Sequence, residues 1–221
     1  MISAQTLQFL EDLAANNHRE WFTANRPRYD AARKEVELLV KVLLERVQTF
    51  QDLGKTEVKD CIFRINRDVR FSKNKAPYKQ NLSMAIGPGG RHSGRIDYYL
   101  HIEPKGESFL GGGMWAPEPK QLAKYRQEID YNAHGLKEII DAPAFKEYFP
   151  EAFGERTKTA PKGYAANHPE IELLKRKQLF FMHRFSDADV QKTDFATQVC
   201  QGIKTMKPFC DFMNDVFFEE N

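Results

Sequence analysis

The chain has 221 residues, 41% of them hydrophobic, and a formal net charge of +2 at neutral pH. This length fits one domain with a sizeable core, and the near balance of charge excludes a uniformly basic surface, so any cationic function has to come from local clustering. The three cysteines (Cys61, Cys200 and Cys210) are odd in number and lack the two-residue gap of a zinc site, which predicts buried thiols in a reducing compartment.

The amino-terminal stretch MISAQTLQFLEDLAANN predicts a helix rather than a targeting signal. It lacks the basic start, the continuous apolar run and the cleavage site of a secretory signal, and no run of about 18 apolar residues occurs anywhere in the chain. We therefore expect a cytoplasmic protein without a membrane span. Ser3 is placed to cap this first helix, and the Asn16-Asn17 pair is placed to end it.

A second helical stretch is predicted from about His18 to Phe50, with a bend or a pause near Pro27. From Lys59 onward the period of the apolar residues falls to two, which is typical of strands. Helix returns after Pro117 and again from Asp187, whereas residues 149–169 are typical of a long surface loop. The predicted strands are 61–66, 82–86, 96–103, 108–110 and 179–185.

The order of these elements is helices, then strands, then helices, with one late strand. Short connections between the strands indicate hairpins and hence a mainly antiparallel sheet of about four to five strands, centred on residues 60–112 and 178–185. We therefore predict a single α+β domain over residues 1–221.

The segment from 61 to 79, CIFRINRDVRFSKNKAPYK, is the most basic part of the chain, and we call it the basic segment. Its six cations less one acid leave a local charge of +5 in 19 residues. Guanidinium groups grip phosphate or carboxylate oxygens in pairs, and an acid such as Asp68 can orient a neighbouring arginine. Phe71 or Tyr78 could stack on a ring. The segment therefore predicts a pocket for a small anionic or phosphorylated ligand, with Arg64, Arg67, Asp68, Arg70, Lys73, Lys75, Tyr78 and Lys79 as its binding residues.

Three other interpretations of the basic segment stay open. Its charges could protect an edge strand against aggregation, or form an internal salt-bridge framework. It could also serve a non-catalytic interaction module that binds RNA or an acidic protein. Duplex DNA is disfavoured as a partner, because the sequence has no recognition-helix pattern and no zinc finger.

A metal-dependent oxygenase is a further alternative. His101 and Glu103 lie two residues apart on a predicted strand, so their side chains share one face. Together with His183 they would supply the two histidines and one carboxylate of a non-haem iron site. The competing interpretation is a polar sheet face joined by hydrogen bonds.

The three consecutive glycines Gly111-Gly-Gly113 also admit two interpretations. Glycine lets the backbone turn sharply or approach another group closely. The run is therefore typical of a bulged strand end, or else of the opposite wall of the pocket predicted at Arg64 and Arg67.

Three motifs, NNHREWF, RINRDVRFSKNKAPYK and YYLHIEPKGESFLGGGMW, occur in this order along the chain. With them, nearly the whole chain resembles a widespread bacterial and fungal family called domain of unknown function 2461. The resemblance implies a cytosolic, single-domain protein. It implies no catalytic residue, cofactor or substrate, and so leaves open whether the chain is an enzyme.

Overall fold

The computed structural model describes residues 1–218, and helices make up 49% of it. Helices come before and after the strands, which confirms the predicted α+β fold. The helices are α1 (Ala4–Ala15), α2 (Arg19–Ala24), α3 (Arg26–Val47), α4 (Val58–Cys61), α5 (Pro119–Asn132), α6 (His134–Asp141), α7 (Pro143–Tyr148), α8 (Ile171–Leu174), α9 (Asp187–Val190) and α10 (Phe195–Phe218).

The strands form one five-stranded antiparallel sheet in the order β1-β2-β3-β5-β4. The register of its last pair places Ala152 opposite Phe181 and Phe153 opposite Phe180. The strands are β1 (Leu82–Ile86), β2 (Tyr98–Ile102), β3 (Ser108–Met114), β4 (Ala152–Phe153) and β5 (Leu179–Phe185).

The first helices begin and end for local reasons that the sequence predicts. Ser3 Oγ accepts a hydrogen bond from the Thr6 amide at 3.2 Å, which caps α1, and Asn16 ends that helix. The helical stretch is interrupted close to Pro27, as predicted, and of the two alternatives the structure has the pause. The chain breaks at Asn25, and the proline sits in the first turn of α3, where its missing N–H costs nothing.

The strand predicted at 61–66 is wrong as a regular strand. Residues Val58–Cys61 form the short helix α4, whose first turn is closed by a capping box between Glu57 and Asp60. The chain then runs extended, but only Ile62 and Asn66 pair, each through an isolated bridge. Alternation of apolar and polar residues predicts the extended backbone but does not ensure a continuous partner strand.

Two further predictions are corrected by the strand bounds. β3 continues through the glycine run to Met114, although glycines usually mark a strand end. Residues 149–169, predicted as loop throughout, contain the short strand β4, whereas the rest of that stretch has neither helix nor further strand.

Contacts divide the chain into two compact units. Unit 1 comprises Met1–Gly94, Tyr99–Leu110 and Arg184–Gln201, and unit 2 comprises Arg95–Tyr98, Gly111–His183 and the chain from Gly202 onward. The predicted single domain over residues 1–221 stays a prediction beside this division. Fully buried apolar side chains fill each unit: Phe9, Leu10, Leu13, Val36, Val40 and Leu43 in unit 1, and Tyr125, Leu136, Met206 and Phe209 in unit 2.

The three cysteines (Cys61, Cys200 and Cys210) are free thiols with buried side chains, as the sequence predicts. Burial raises the pKa of the Cys210 thiol well above its usual value, so this thiol stays protonated and unreactive. Among residues 1–218, no helix combines the length and the apolar character that crossing a bilayer requires.

Candidate functional site

A cleft of about 520 Å³ in unit 1 is surrounded by positive charge, and we call it the cationic cleft. None of its lining residues is acidic. Two of them, Ile62 and Phe63, offer an apolar wall. The lining consists of Arg33 from α3, Lys59 from α4, Ile62, Phe63 and Arg64 from the extended chain after α4, and Arg91 and His92 from the turn after β1.

The turn after β1 reaches the cleft because Gly90 lets it lie directly on the backbone of α4. Gly90 has a φ of +57°, and a Cβ at this position would stand 2.5 Å from the carbonyl oxygen of Asp60. The Arg91 guanidinium then donates a hydrogen bond to the carbonyl oxygen of Lys59. The close approach of the two backbones therefore fixes Arg91 at the edge of the cleft.

Arg64 and Lys79 are two neighbouring cations that form no ion pair with any described carboxylate, although the charge of Arg64 contributes to the lowered pKa of Asp68. Arg64 is exposed and makes no ion pair with any residue from 1 to 218. Lys79 is half-buried, and its Nζ lies 5.1 Å from the centre of the Phe63 ring. Burial, and then the charge of Arg64, hold the pKa of Lys79 below its usual value. Such a pair is poised to gain from a bound anion.

Replacing Lys79 by methionine is expected to stabilise the ligand-free protein by about 0.5–1 kcal/mol near neutral pH. Methionine keeps an apolar stem against Phe63 and removes the buried charge. Because the folded-state pKa of Lys79 lies below its usual value of 10.5, the charge destabilises the fold fully below the folded-state pKa. That cost fades as the pH rises through the folded-state pKa toward 10.5.

Urea denaturation at neutral pH and at about pH 10 measures this gain. The exposed Lys73, replaced by methionine in the same way, is the matched control and should leave the free energy of unfolding unchanged. A gain for the Lys79 variant that is as large at the higher pH would contradict the explanation by buried charge.

Arg67 and Lys75 bind the loop that contains them rather than the cleft. Arg67 Nη1 donates to the carbonyl oxygen of Ala76 at 3.0 Å, and the Arg67 amide donates to that of Pro77 at 2.9 Å. Lys75 Nζ donates to the carbonyl oxygen of Val69 at 3.0 Å. Residues 67–77, which we call the Phe71 loop, are therefore held together by their own cations.

Asp68 orients Arg70, as the sequence predicts for a neighbouring arginine. Arg70 Nη2 and Nε donate to the two carboxylate oxygens of Asp68 at 2.6 and 3.0 Å, and these bonds hold the pKa of Asp68 below its usual value. The pair cancels its own charge. Phe71 follows Arg70 in the sequence and precedes the exposed Lys73. It is 95% exposed, and the Arg70 guanidinium lies 5.8 Å from the centre of its ring.

Tyr78 packs inside unit 1 and does not line the cleft. Its ring is 8% exposed and stacks on Phe22 with the ring centres 4.0 Å apart. The Asn17 side chain accepts a hydrogen bond from the Tyr78 amide and donates one to its carbonyl oxygen, each at 3.0 Å. The NNHREWF motif thus supplies both partners of Tyr78 and anchors the end of the basic segment.

The ligand set of an iron oxygenase is not assembled. Among residues 1–218, no three His, Cys, Asp or Glu side chains form a group that could hold a metal ion. His101 Nε2 lies 2.7 Å from Glu103 Oε2, which confirms the hydrogen-bonded polar sheet face. His183 belongs to unit 2, where its Nδ1 lies 3.0 Å from the carbonyl oxygen of Tyr148.

The glycine run of β3 is explained by close packing within unit 2. A Cβ at Gly111 would stand 2.6 Å from the Phe180 ring, and one at Gly112 would stand 2.6 Å from the sulfur of Met206. Protein atoms therefore already occupy the space beside these glycines. The glycines allow close packing within the protein and do not form the wall of a ligand pocket.

Of the seven lining residues, only Arg64 was predicted as a binding residue. Ile62 and Phe63 lie in the basic segment but were not predicted to bind, and the other four come from elsewhere in the chain. Arg33 lies on a helix whose charges alternate, and it pairs with Glu37 at 2.9 Å, so nothing in its surroundings distinguishes it. Lys59 likewise pairs with Glu57 at 2.6 Å. The turn GPGGRH carried the usable signal, because Arg91 and His92 directly follow glycines that allow a close backbone approach.

Comparison with known families found one match. A family model described as "Conserved hypothetical protein (DUF2461)" matches residues 5–212, which is nearly the whole chain. No match was found among curated proteins or among solved structures. The match spans all three motifs that the sequence displays, including the basic segment.

Proposed function

Because the chain belongs to the DUF2461 family, whose description names no activity, we propose from the geometry of unit 1 that the cationic cleft binds a small anionic ligand, such as a phosphorylated metabolite. One observation carries the proposal. Arg64, which lines the cleft, makes no ion pair within residues 1–218 and helps to lower the pKa of the neighbouring Lys79, which is half-buried. None of the lining residues is acidic, although two of the cations, Arg33 and Lys59, already pair with Glu37 and Glu57 outside the lining. Charged groups with perturbed pKa values beside a cleft are common at functional sites.

The size and lining of the cleft narrow the class of ligand. A volume of about 520 Å³ lies within the usual range of small-molecule sites. Arg64 and Arg91 offer planar guanidinium groups to phosphate or carboxylate oxygens, while Phe63 and Ile62 face the rest of the ligand. We therefore propose a ligand with one anionic group and a small apolar or ring-shaped body.

The test is binding of inorganic phosphate, nucleotides and sugar phosphates, measured by thermal shift and calorimetry. Arg64→Ala should weaken the binding of the best anion about 10- to 100-fold, since hydrogen bonds to charged groups are worth about 1.5–3 kcal/mol. Arg64→Lys should bind with intermediate affinity, because it keeps the charge and loses the planar fork.

Arg70→Ala is the matched control, because Arg70 lies in the same segment but is already paired with Asp68. This variant should bind the anion as the wild type does. If no anion stabilises the wild type more than it stabilises Arg64→Ala, the proposal fails.

A second candidate function is an interaction module for RNA or an acidic protein. The Phe71 loop favours it, since an aromatic ring that is 95% exposed is held on a loop with internal hydrogen bonds and neighbouring cations. Gel-shift binding of a single-stranded RNA at physiological salt, lost in Phe71→Ala and kept in Arg64→Ala, would favour this candidate over the first.

We also propose a cytoplasmic location. Three cysteines that are all buried free thiols support it, because a reducing compartment keeps thiols from pairing.

A further inference from the structure

Three polar side chains share one face at β2 and the residue that follows it. Tyr99, His101 and Glu103 alternate along the extended chain, so they point the same way. His101 Nε2 lies 2.7 Å from Glu103 Oε2, and the Tyr99 hydroxyl lies 3.4 Å from His101 Nδ1. An ionised carboxylate only accepts hydrogen bonds, so Nε2 carries the proton and Nδ1 accepts from the phenol.

This row of side chains is rigid. The imidazole of His101 is 12% exposed and stacks on the Phe109 ring, with the ring centres 4.8 Å apart and the planes at 15°. The Glu103 amide donates to Ser108 Oγ at 3.1 Å, and that hydroxyl donates back to the Glu103 carbonyl oxygen at 2.9 Å. The ring plane of His101 and the backbone that carries Glu103 are therefore both fixed, as a preorganised site requires.

The phenol of Tyr99 needs a base before it can react. Burial raises the pKa of Tyr99, so the hydroxyl is protonated at rest. The Ser83 hydroxyl lies near the phenol but makes no hydrogen bond to it. Ser83 is 2% exposed and its hydroxyl has no hydrogen-bond partner among residues 1–218. It is thus a buried polar group left available beside Tyr99.

The row also adjoins the cationic cleft. The Phe63 ring, which lines the cleft, meets the Tyr99 ring edge-on with the ring centres 5.9 Å apart. Lys79 Nζ lies 5.1 Å from the centre of the same Phe63 ring. The Tyr99 ring and the Lys79 ammonium group therefore lie beside one shared aromatic side chain, which itself lines the cleft together with Arg64.

We propose that Tyr99 is an oxygen nucleophile, activated by His101 and Glu103, which attacks an ester of a small anionic molecule held by Arg64. The inference rests on the proposed function only for the way in which the ligand is held. Tyr99 Oη forms a bond to the electrophilic acyl or phosphoryl centre, and the bond from that centre to its leaving oxygen breaks. The leaving oxygen departs with the electron pair, and the phenol proton passes to His101 Nδ1.

Glu103 acts as a positioning residue in this step. It keeps the proton on Nε2 at rest, and it stabilises the imidazolium that forms when Nδ1 takes the phenol proton. The 3.4 Å separation between the Tyr99 hydroxyl and Nδ1 is long for a hydrogen bond, as is common in catalytic groups before a substrate binds.

Covalent labelling tests the inference without knowledge of the substrate. The probe is 4-(fluorosulfonyl)benzoate, an electrophile with one carboxylate, and its adducts are located by peptide mapping. Attack forms the S–O bond and releases fluoride, while the phenol proton goes to His101. We expect the adduct on Tyr99 to form at least about 10-fold faster than on Tyr131, whose side chain is 88% exposed.

Variants connect the labelling to the row of side chains. His101→Gln should slow the labelling of Tyr99 about 100-fold, and Glu103→Gln about 10-fold. The labelling of the exposed Tyr131 should stay unchanged, which shows that the probe is equally reactive in each sample, and urea denaturation of each variant checks its folding. Nitrogen NMR of the wild type should find the His101 proton on Nε2, and Glu103→Gln should weaken that preference. A proton resident on Nδ1 would overturn the inference.

A second probe separates this inference from the proposed function. Benzenesulfonyl fluoride lacks the carboxylate, so Arg64→Ala should slow Tyr99 labelling by the charged probe only. If Arg64→Ala labels Tyr99 as fast as the wild type does with the charged probe as well as with the uncharged one, the anion site is rejected and the nucleophile is unaffected. An adduct on Lys79 in place of Tyr99, no adduct on Tyr99 with either probe, or unchanged labelling in His101→Gln would each overturn the nucleophile.

Discussion

Replacement of Gly113 by alanine is expected to lower the free energy of unfolding by about 3–5 kcal/mol, adding backbone strain to overpacking. Gly113 has a φ of +130°, which side chains rarely permit. A Cβ there would also stand 2.3 Å from the carbonyl oxygen of Leu179 and 3.1 Å from Cα of Phe180. Neither of these backbone atoms can rotate away, so the added methyl group must disturb the pairing of β3 with β5.

Gly163→Ala is the matched control in the same unit. Gly163 also has a positive φ, +94°, but no atom lies within 4 Å of its would-be Cβ. It should therefore show the backbone strain alone, about 1–2 kcal/mol. Urea denaturation of both variants measures the difference. Equal losses at the two positions would mean that the crowding at Gly113 has no energetic consequence.

Replacement of Gly90 by alanine is expected to have the second largest effect, because it acts on the fold and on the cleft together. The new methyl group would meet the carbonyl group of Asp60 at 2.5 Å, so the turn has to lift away from α4. Arg91 would then lose its bond to the Lys59 carbonyl oxygen. We expect a loss of about 2–4 kcal/mol in the free energy of unfolding, and phosphate binding weakened about 10-fold.

The adjacent Gly89 offers a close control, since its φ of +83° is also positive. The nearest atom to its would-be Cβ is Ser93 Cβ at 3.4 Å, an ordinary contact. Gly89→Ala should therefore cost less stability and leave phosphate binding near that of the wild type. Denaturation and calorimetry on the two variants decide the matter: equal affinity for phosphate would show that the position of Arg91 does not affect binding.

Local physics was enough to predict most of the fold. The cap at Ser3, the strand at 82–86 and the strand at 179–185 each follow from nearby residues and from a clear period. The prediction failed where the local structure depends on contacts with residues that are distant in the sequence. Residues 61–66 alternate like a strand yet find only isolated bridges, and the glycines of β3 are tolerated because neighbouring side chains fill the space above them.

The candidate site was predicted less well, for a related reason. Local charge identifies the basic segment, but it cannot tell Arg64, which lines the cleft, from Arg67, which holds a loop together. Tyr78 resembles a ligand-stacking residue until Phe22 is found against its ring. Arg33 and Arg91 come from distant parts of the chain, so only the folded arrangement brings them to Arg64.

Unit 1 is built from segments that lie far apart in the chain, and this affects how the protein folds during its synthesis. The amide of Ile2 donates to the carbonyl oxygen of Val190 at 2.8 Å, and the Lys105 and Gly106 amides each donate to Asp187 at 2.9 Å. At about 5–20 residues per second, the ribosome needs roughly 5–20 seconds to make the chain between the first long segment of unit 1 and its last. The cationic cleft is thus encoded early, yet the unit that contains it is completed only when most of the chain has emerged.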